Sequence, residues 1–126
     1  MAHKILLVDD EVGFTELLKM NLERTGAYEV MIENDSTLAI AAARSFKPDA
    51  ILLDIVMPGM DGGDVQAQLE KDPFLRKIPV IMLTALVDSS EVSEGAVAQS
   101  GSVIVLPKPV DLPLLKRVLV ESIPAA

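Results

Sequence analysis

The sequence AILLDIVMPGMDGG spans residues 50–63 and joins an apolar run to a glycine-rich turn. A short apolar run bounded by turn residues indicates a strand that is buried on both faces of a sheet. Asp54 stands at the carboxyl end of that strand, where open α/β sheets place their functional residues. A second apolar run, residues 5–8, ends in the same way with Asp9 and Asp10.

These three carboxylates converge on one spot if the two strands are parallel neighbours. Such a cluster repels itself strongly unless a proton or a hard cation is present. Magnesium is the expected cation, because it accepts a few carboxylates together with water and a phosphate oxygen. The arrangement indicates phosphoryl chemistry on a carboxylate.

The composition fits a single domain over residues 1–126 and excludes several classes of function. Half of the residues are apolar but only 3% are aromatic, so the core is expected to be aliphatic. The net charge of −8 argues against direct binding to nucleic acid or to an anionic membrane. The chain has no cysteine, which excludes disulfides, thiol catalysis and cysteine-ligated zinc. Without a signal peptide or an apolar stretch of about 18–20 residues, no membrane insertion and a cytoplasmic location are expected.

Apolar runs and helical patterns alternate five times along the chain. The predicted strands cover residues 4–8, 28–33, 50–53, 79–85 and 102–106. The first helix places Phe14, Leu17, Leu18 and Leu22 on one face and stops at Gly26. The other helices are predicted at residues 37–46, 63–71, 89–99 and 112–122, and the serine-rich one at 89–99 is expected to have little packing energy and to move easily. This alternation predicts an α/β fold with right-handed crossovers and a parallel sheet covered on both faces.

Four motifs, each at the carboxyl end of a predicted strand, resemble those of one family. They are Val8-Asp9-Asp10, the segment from Asp54 to Gly62, Thr84-Ala85 and Lys108-Pro109. From end to end the chain resembles the receiver domains of bacterial two-component response regulators, in particular the single-domain, chemotaxis-regulator type. The resemblance implies a flavodoxin-like (βα)5 doubly wound sheet with strand order 2-1-3-4-5. The alternating pattern of residues 28–33 agrees, because it is typical of a half-exposed edge strand.

The resemblance assigns a role to each motif. It implies that Asp54 is the phosphate acceptor and attacks the phosphoryl group as a nucleophile. Thr84 would bind a phosphate oxygen, and Lys108 would supply a positive charge that pairs with Asp54 before phosphorylation. The Lys108–Pro109 bond is expected to be cis, which turns its loop towards the site.

The resemblance also implies a magnesium site and a switch. Asp10 would bind the ion directly, Asp9 through a water molecule, and Asp54 together with the backbone carbonyl of Val56 would complete the protein ligands. The family commonly pairs the switch threonine, here Thr84, with an aromatic residue in the fifth strand. This chain has Val105 at that position, so the aromatic half of the switch is missing.

The function implied is that of a signalling switch and not of an enzyme, beyond self-catalysed phosphorylation of Asp54 and its slow hydrolysis. The phosphoryl donor would be a sensor histidine kinase or a phosphotransfer protein, with Mg²⁺. Phosphorylation would then alter the binding of a downstream effector protein at the face formed by the helix at 89–99, the strand at 102–106 and the helix at 112–122. The resemblance also implies that the protein can form a weak homodimer through the same face.

Alternative functions stay open at the level of sequence. The chain fits a receiver excised from a longer DNA-binding or enzymatic regulator, and a phosphate-independent pseudo-receiver is a weaker option. A phosphohydrolase is disfavoured because those enzymes carry Asp-x-Asp after the first strand, whereas the candidate nucleophile here follows the third strand and Val56 stands two residues beyond it. A flavin-binding flavodoxin is rejected because Asp9, Asp10 and Glu11 would repel a flavin phosphate.

We predict slow self-dephosphorylation, because residues 56 and 86 are both apolar. Family members often carry polar groups at these places, which can position the hydrolytic water. Substituting Val56→Asn and Leu86→Glu should therefore accelerate the loss of phosphate from the phosphorylated protein. The rate is measured by following the phosphorylated mass over time, and an unchanged lifetime would refute the argument.

Overall fold

The computed structural model describes residues 2–85, 98–100 and 103–123. Its strands are β1 His3–Val8, β2 Tyr28–Glu33, β3 Ala50–Asp54, β4 Val80–Thr84, β5 Ala98–Ser100 and β6 Val103–Pro107. Its α-helices are α1 Val12–Glu23, α2 Ala39–Phe46, α3 Gly62–Lys71 and α4 Leu112–Ser122. Short 3₁₀ turns lie at Ser36–Leu38 and Leu75–Lys77. No helix in these ranges is long and apolar enough to cross a membrane.

Five strands of the sheet are parallel and have the predicted order. They run β2-β1-β3-β4-β6 across the sheet, so β6 takes the place of the predicted fifth strand and β2 lies at an edge. Helices cover both faces of this sheet, since two separate apolar clusters pack against it. The flavodoxin-like fold class is therefore confirmed.

The edge next to β6 differs from the prediction. The short strand β5 pairs with β6 in an antiparallel manner, with Ala98 opposite Val105 and Gln99 opposite Ile104. Both Ala98 and Gln99 had been predicted as the end of a helix, and residues 89–97 of that helix lie outside the described residues. Only two residues separate β5 from β6 in the sequence, and so short a connection joins antiparallel strands.

The core is aliphatic, as the composition indicates. Alternate residues of the strands point to opposite faces: Leu7 and Leu52 pack towards α1 and α4, whereas Leu6 and Leu53 pack towards α2 and α3. The predicted inward residues of the last helix are all buried. Leu17, however, was predicted to face inward and is 55% exposed. The inward position of that turn belongs to Thr15, whose hydroxyl donates to the Val12 carbonyl at 2.9 Å.

The start of α3 is fixed directly against the end of β3. Asp61 caps the helix by accepting from the Asp64 backbone N–H at 2.9 Å, and Gly62 donates its N–H to the Ile55 carbonyl at 2.7 Å. A Cβ atom on Gly62 would stand 2.6 Å from the backbone oxygen of Asp54. Glycine is therefore needed at this position because the two backbones approach so closely.

We predict that Gly62→Ala destabilises the protein by about 1–3 kcal/mol, since the added methyl group has to displace the backbone at Asp54. Gly13→Ala is the matched control, because a Cβ atom at Gly13 meets nothing within 4 Å. The control should leave stability unchanged or raise it by up to about 1 kcal/mol. Urea denaturation of the two variants measures both effects, and equal stabilities would contradict the packing argument.

Candidate functional site

The candidate site lies at the carboxyl edge of the parallel sheet. Asp54 and Thr84 are the last residues of β3 and β4, Asp9 follows β1, and Lys108 follows β6. The side chains of Asp9, Asp54 and Thr84 are buried, with 0%, 4% and 1% of their surface exposed. Buried carboxylates need charged or hydrogen-bonding partners, so the contacts of these residues define the site.

Lys108 is the cation at the centre of the site. Its Nζ atom lies 2.8 Å from Asp9 Oδ2, 2.7 Å from Glu11 Oε1 and 3.6 Å from Asp54 Oδ2. The same ammonium group lies 4.4 Å from the ring centroid of Phe14, a cation–π distance. Lys108 thus pairs with Asp54, as expected, but its shorter contacts are with Asp9 and Glu11.

Backbone hydrogen bonds position Lys108 and Asp9. Lys108 donates its N–H to the Thr84 carbonyl at 2.9 Å, which ties the end of β6 to the end of β4, and the Lys108–Pro109 peptide bond is cis. Asp9 Oδ1 accepts from the Glu11 N–H at 2.9 Å, so both oxygens of this carboxylate have partners. Asn34 donates to the Asp9 carbonyl at 2.8 Å and holds the loop after β1.

The turn after β3 is held by hydrogen bonds with Ser36, which follows β2. Ser36 donates its hydroxyl to the Pro58 carbonyl at 3.1 Å and accepts from the Met60 N–H at 3.2 Å. Gly59 in this turn has a φ of +83°, a conformation that glycine adopts without strain. The turn places the Val56 N–H 3.4 Å from Asp54 Oδ1, while the Val56 side chain is 55% exposed.

The charges in this pocket perturb the ionisation of Asp54. Burial and then the negative charge of Asp9 raise the pKa of Asp54 to about 6, against the lowering effects of Lys108 and the Val56 N–H. Burial alone would lower the pKa of Lys108, but its hydrogen bonds with Asp9 and Glu11 outweigh that effect and raise it above its usual range. Lys108 therefore stays charged, and Asp54 is the group whose charge depends on what else occupies the pocket.

Three carboxylates are arranged so that they could hold a metal ion. Asp9, Glu11 and Asp54 each offer an oxygen, and these oxygens lie within 4.8 Å of one another. An all-oxygen set of this kind suits a hard divalent cation such as Mg²⁺. The residues therefore fit the expected cofactor, with Asp9 and Asp54 as predicted and Glu11 in addition.

Glu11 is the residue that the sequence analysis did not assign to the site. It follows the Asp9-Asp10 pair directly, and this run of three acids was the feature of the sequence that could have indicated its place in the site. Its longer side chain forms an ion pair with Lys108, whereas Asp10, which is exposed like Glu11, is not one of the three clustered carboxylates. Asp10 is nevertheless close enough for its charge to raise the pKa of Asp54. Its role as a direct ligand stays a prediction, as does that of the Val56 carbonyl.

The two proposed switch residues lie on neighbouring strands. Thr84 stands opposite Pro107 in the pairing of β4 with β6, and Val105 stands opposite Met82. Val105 is partly buried and packs against the apolar cluster on the α2 and α3 side. The position that the family fills with an aromatic ring is therefore occupied here by a small aliphatic side chain.

Comparisons with known proteins agree with this geometry. The family model described as the response regulator receiver domain matches residues 5–120. The response regulator PleD of Caulobacter vibrioides is 41% identical over 111 residues, which are 88% of this chain and 24% of PleD. The DNA-binding response regulator MtrA of Mycobacterium tuberculosis is 36% identical over 113 residues, which are 89% of this chain and 48% of MtrA. The chain thus spans about a quarter to a half of these relatives.

A solved structure shows the same architecture. The receiver domain of the sensor histidine kinase PA1611 from Pseudomonas aeruginosa matches with a TM-score of 0.79 and 29% identity, over 98% of each chain. That structure has a magnesium ion coordinated in its active site cleft. The chain belongs to the response regulator receiver domain family, which serves two-component signal transduction.

Proposed function

We propose that this receiver accepts a phosphoryl group on Asp54, with Mg²⁺ as cofactor, and thereby switches the binding of a partner protein. The observation that carries the proposal is the burial of the Asp54 carboxylate at the end of β3, between Lys108 and two further carboxylates. A structural acid would have its charge satisfied at this depth. Asp54 instead has a raised pKa and one oxygen 3.6 Å from Lys108.

The proposed reaction is a phosphoryl transfer to the carboxylate. An Asp54 oxygen forms a bond to phosphorus while the bond from phosphorus to the donor's nitrogen or bridging oxygen breaks. Magnesium, when bound by Asp9, Asp54 and Glu11, neutralises charge on the phosphoryl oxygens. Lys108 leaves its carboxylate partners to reach a phosphoryl oxygen, and the Thr84 hydroxyl binds another. The chain supplies alignment and charge, so we do not assign it any turnover of an external substrate.

The donor we propose is a histidine kinase or a phosphotransfer protein. The outer side of α1, beside the pocket, supports a protein donor because it exposes Val12, Leu17 and Met20, each more than half accessible. Val56, on the turn next to Asp54, is exposed as well. Apolar side chains around a reactive group are typical of a site that docks another protein.

The output face we propose includes β6 and α4, together with residues 89–99, most of which lie outside the described part of the chain. Val120 on α4 is 71% exposed and gives this face an apolar contact point. Phosphorylation would draw Lys108 and Thr84 inward at the ends of β6 and β4 and so bias this face towards one of two states. A weak homodimer through the same face is part of the proposal.

The size of the relatives favours a second possibility, in which this receiver is one module of a longer regulator. PleD and MtrA each extend well beyond the matched region. Phosphorylation would then control an attached effector, and direct contact with nucleic acid would belong to that effector, since this chain has a net charge of −8. We propose a cytoplasmic location both for a standalone receiver and for a longer regulator that contains it.

The chemical step has a direct test. Incubation with acetyl phosphate and Mg²⁺ should add one phosphoryl group to the intact protein, because Asp54 is the only buried carboxylate here that carries a raised pKa among the described residues. The Asp54→Asn variant should gain nothing, and omission of Mg²⁺ should reduce the yield at least tenfold. Intact mass spectrometry measures all three. Equal labelling of the variant would show that a residue other than Asp54 accepts the phosphoryl group. No labelling of either protein would favour a pseudo-receiver.

The raised pKa of Asp54 predicts how stability depends on pH without metal. Because the folded pKa of about 6 exceeds the unfolded value, stability from this group is present at low pH and is lost as pH rises through 6. Asp54→Asn cannot ionise, so without metal it should be more stable than the parent by about 1–3 kcal/mol above pH 7, and equally stable near pH 4. Millimolar Mg²⁺ should reduce the difference in stability between Asp54→Asn and the parent at high pH.

Urea denaturation at several pH values, with EDTA or with Mg²⁺, measures this difference. Glu70→Gln, an exposed substitution on α3, serves as the control for the loss of one carboxylate. A difference between parent and Asp54→Asn that does not change between pH 4 and pH 8 would show that Asp54 is not held under electrostatic strain.

A further inference from the structure

A groove lies at the opposite end of the strands that carry the site. It is formed by the end of α2 and by the segment after α3, and it encloses about 590 Å³. Pro48 and Ile78 line it, two residues before β3 and β4 begin. Asp54 and Thr84 end these same strands, so the groove is one strand length away from the pocket, about 13 Å. It is therefore separate from the phosphorylation site.

The groove has a fixed wall. Arg44 on α2 binds Asp72 with its Nε and Nη2 atoms, each 3.2 Å from Asp72 Oδ2. The other oxygen of Asp72 accepts the backbone N–H groups of Phe74 and Leu75 at 2.8 and 3.1 Å. These hydrogen bonds connect the loop after α3 to the end of α2.

Phe74 stands on the rim of this groove with 83% of its side chain exposed. It is the most exposed large apolar side chain in the described part of the protein, and one of only three phenylalanines in the sequence. The loop that presents it is held by the Asp72 hydrogen bonds, so its exposure is built into the fold. A fixed, exposed aromatic ring beside a groove is a typical anchor of a protein interface.

The charge around the groove is opposite to that of the whole chain. Lys47 lines it, and Arg76 and Lys77, together with the single acid Glu70, line a neighbouring cavity of about 210 Å³ that shares Leu75 and Ile78. None of these three cations forms a salt bridge with any residue that the structure describes, whereas Asp72 is already paired with Arg44. A chain with a net charge of −8 thus carries a basic, partly apolar surface at one end.

We infer that this groove docks an acidic segment of a partner protein that carries one or two large apolar side chains. The apolar side chains would pack on Phe74 and enter the groove over Leu75 and Ile78, and acidic groups of the partner would face Lys47, Arg76 and Lys77. Complementary charge both selects such a partner and increases its rate of association. The inference is independent of phosphorylation on Asp54.

A phage-displayed random peptide library, selected on the full chain, tests this inference. Recovered peptides should be enriched in Asp and Glu next to Leu, Ile or an aromatic residue. Their affinity, measured as fluorescence anisotropy of labelled synthetic copies, should fall at least tenfold with Phe74→Ser and at least tenfold with Arg76→Glu combined with Lys77→Glu. Asp54→Asn should change it less than twofold.

Matched controls separate the groove from general surface effects. Leu38→Ser removes another exposed apolar side chain, and Arg24→Glu combined with Arg117→Glu reverses two charges elsewhere. Each should change the affinity less than twofold, and circular dichroism confirms that every variant is folded. Enrichment of basic peptides, enrichment that survives Phe74→Ser, or no enrichment would overturn the inference. Self-association of the parent that Phe74→Ser abolishes would also overturn it, in favour of a second copy.

Discussion

The pairing of Lys108 with buried carboxylates is the interaction on which the site depends. Asp9, Glu11 and Asp54 contribute three negative charges when ionised and Lys108 contributes one positive charge, so the cluster carries a net charge of −2, with Asp9 and Asp54 buried and the Glu11 side chain 62% exposed. A divalent cation would neutralise this remainder, and without one burial and the charge of Asp9 raise the pKa of Asp54 to about 6. The proposed nucleophile is therefore also the group whose ionisation would respond to the metal.

The parallel sheet makes this pairing possible because it brings four strand ends to one edge. Asp9 and Asp54 follow or end two adjacent central strands, whose residues pack on both faces against aliphatic side chains. Lys108 arrives from β6 and is tied to β4 through the Thr84 carbonyl. Such a core resists deformation, so the carboxylates stay close together in spite of their repulsion. Movement is left to the loops and to the lysine side chain.

Most of the fold and the main site residues could be predicted from the sequence, because buried parallel strands produce continuous apolar runs and functional residues follow them. The sequence was less informative about which side chains join the site or the core, because this depends on the direction in which each side chain points. Glu11 joins the carboxylate cluster and Asp10 does not, although both are exposed acids in one short loop, because Lys108 from a distant segment pairs with Glu11. Leu17 is exposed and Thr15 takes the inward position of that turn, because apolar spacing along a helix does not fix the orientation of each side chain. The strand β5 depends on pairing with β6, which no local pattern reports.

Side chains of opposite charge surround the two ends of β3 and β4, so the two ends suit different partners. Acidic side chains and the proposed phosphoryl acceptor lie at the carboxyl ends, while Lys47, Arg76, Lys77 and the exposed Phe74 surround the amino ends. The proposed phosphoryl donor would approach the first end and the inferred acidic segment would bind at the second, so the two would not compete for the same surface. The strands between the two ends are fully buried. The proposed phosphoryl donor and the inferred acidic partner could therefore be bound at the same time, because they would use opposite ends of these strands.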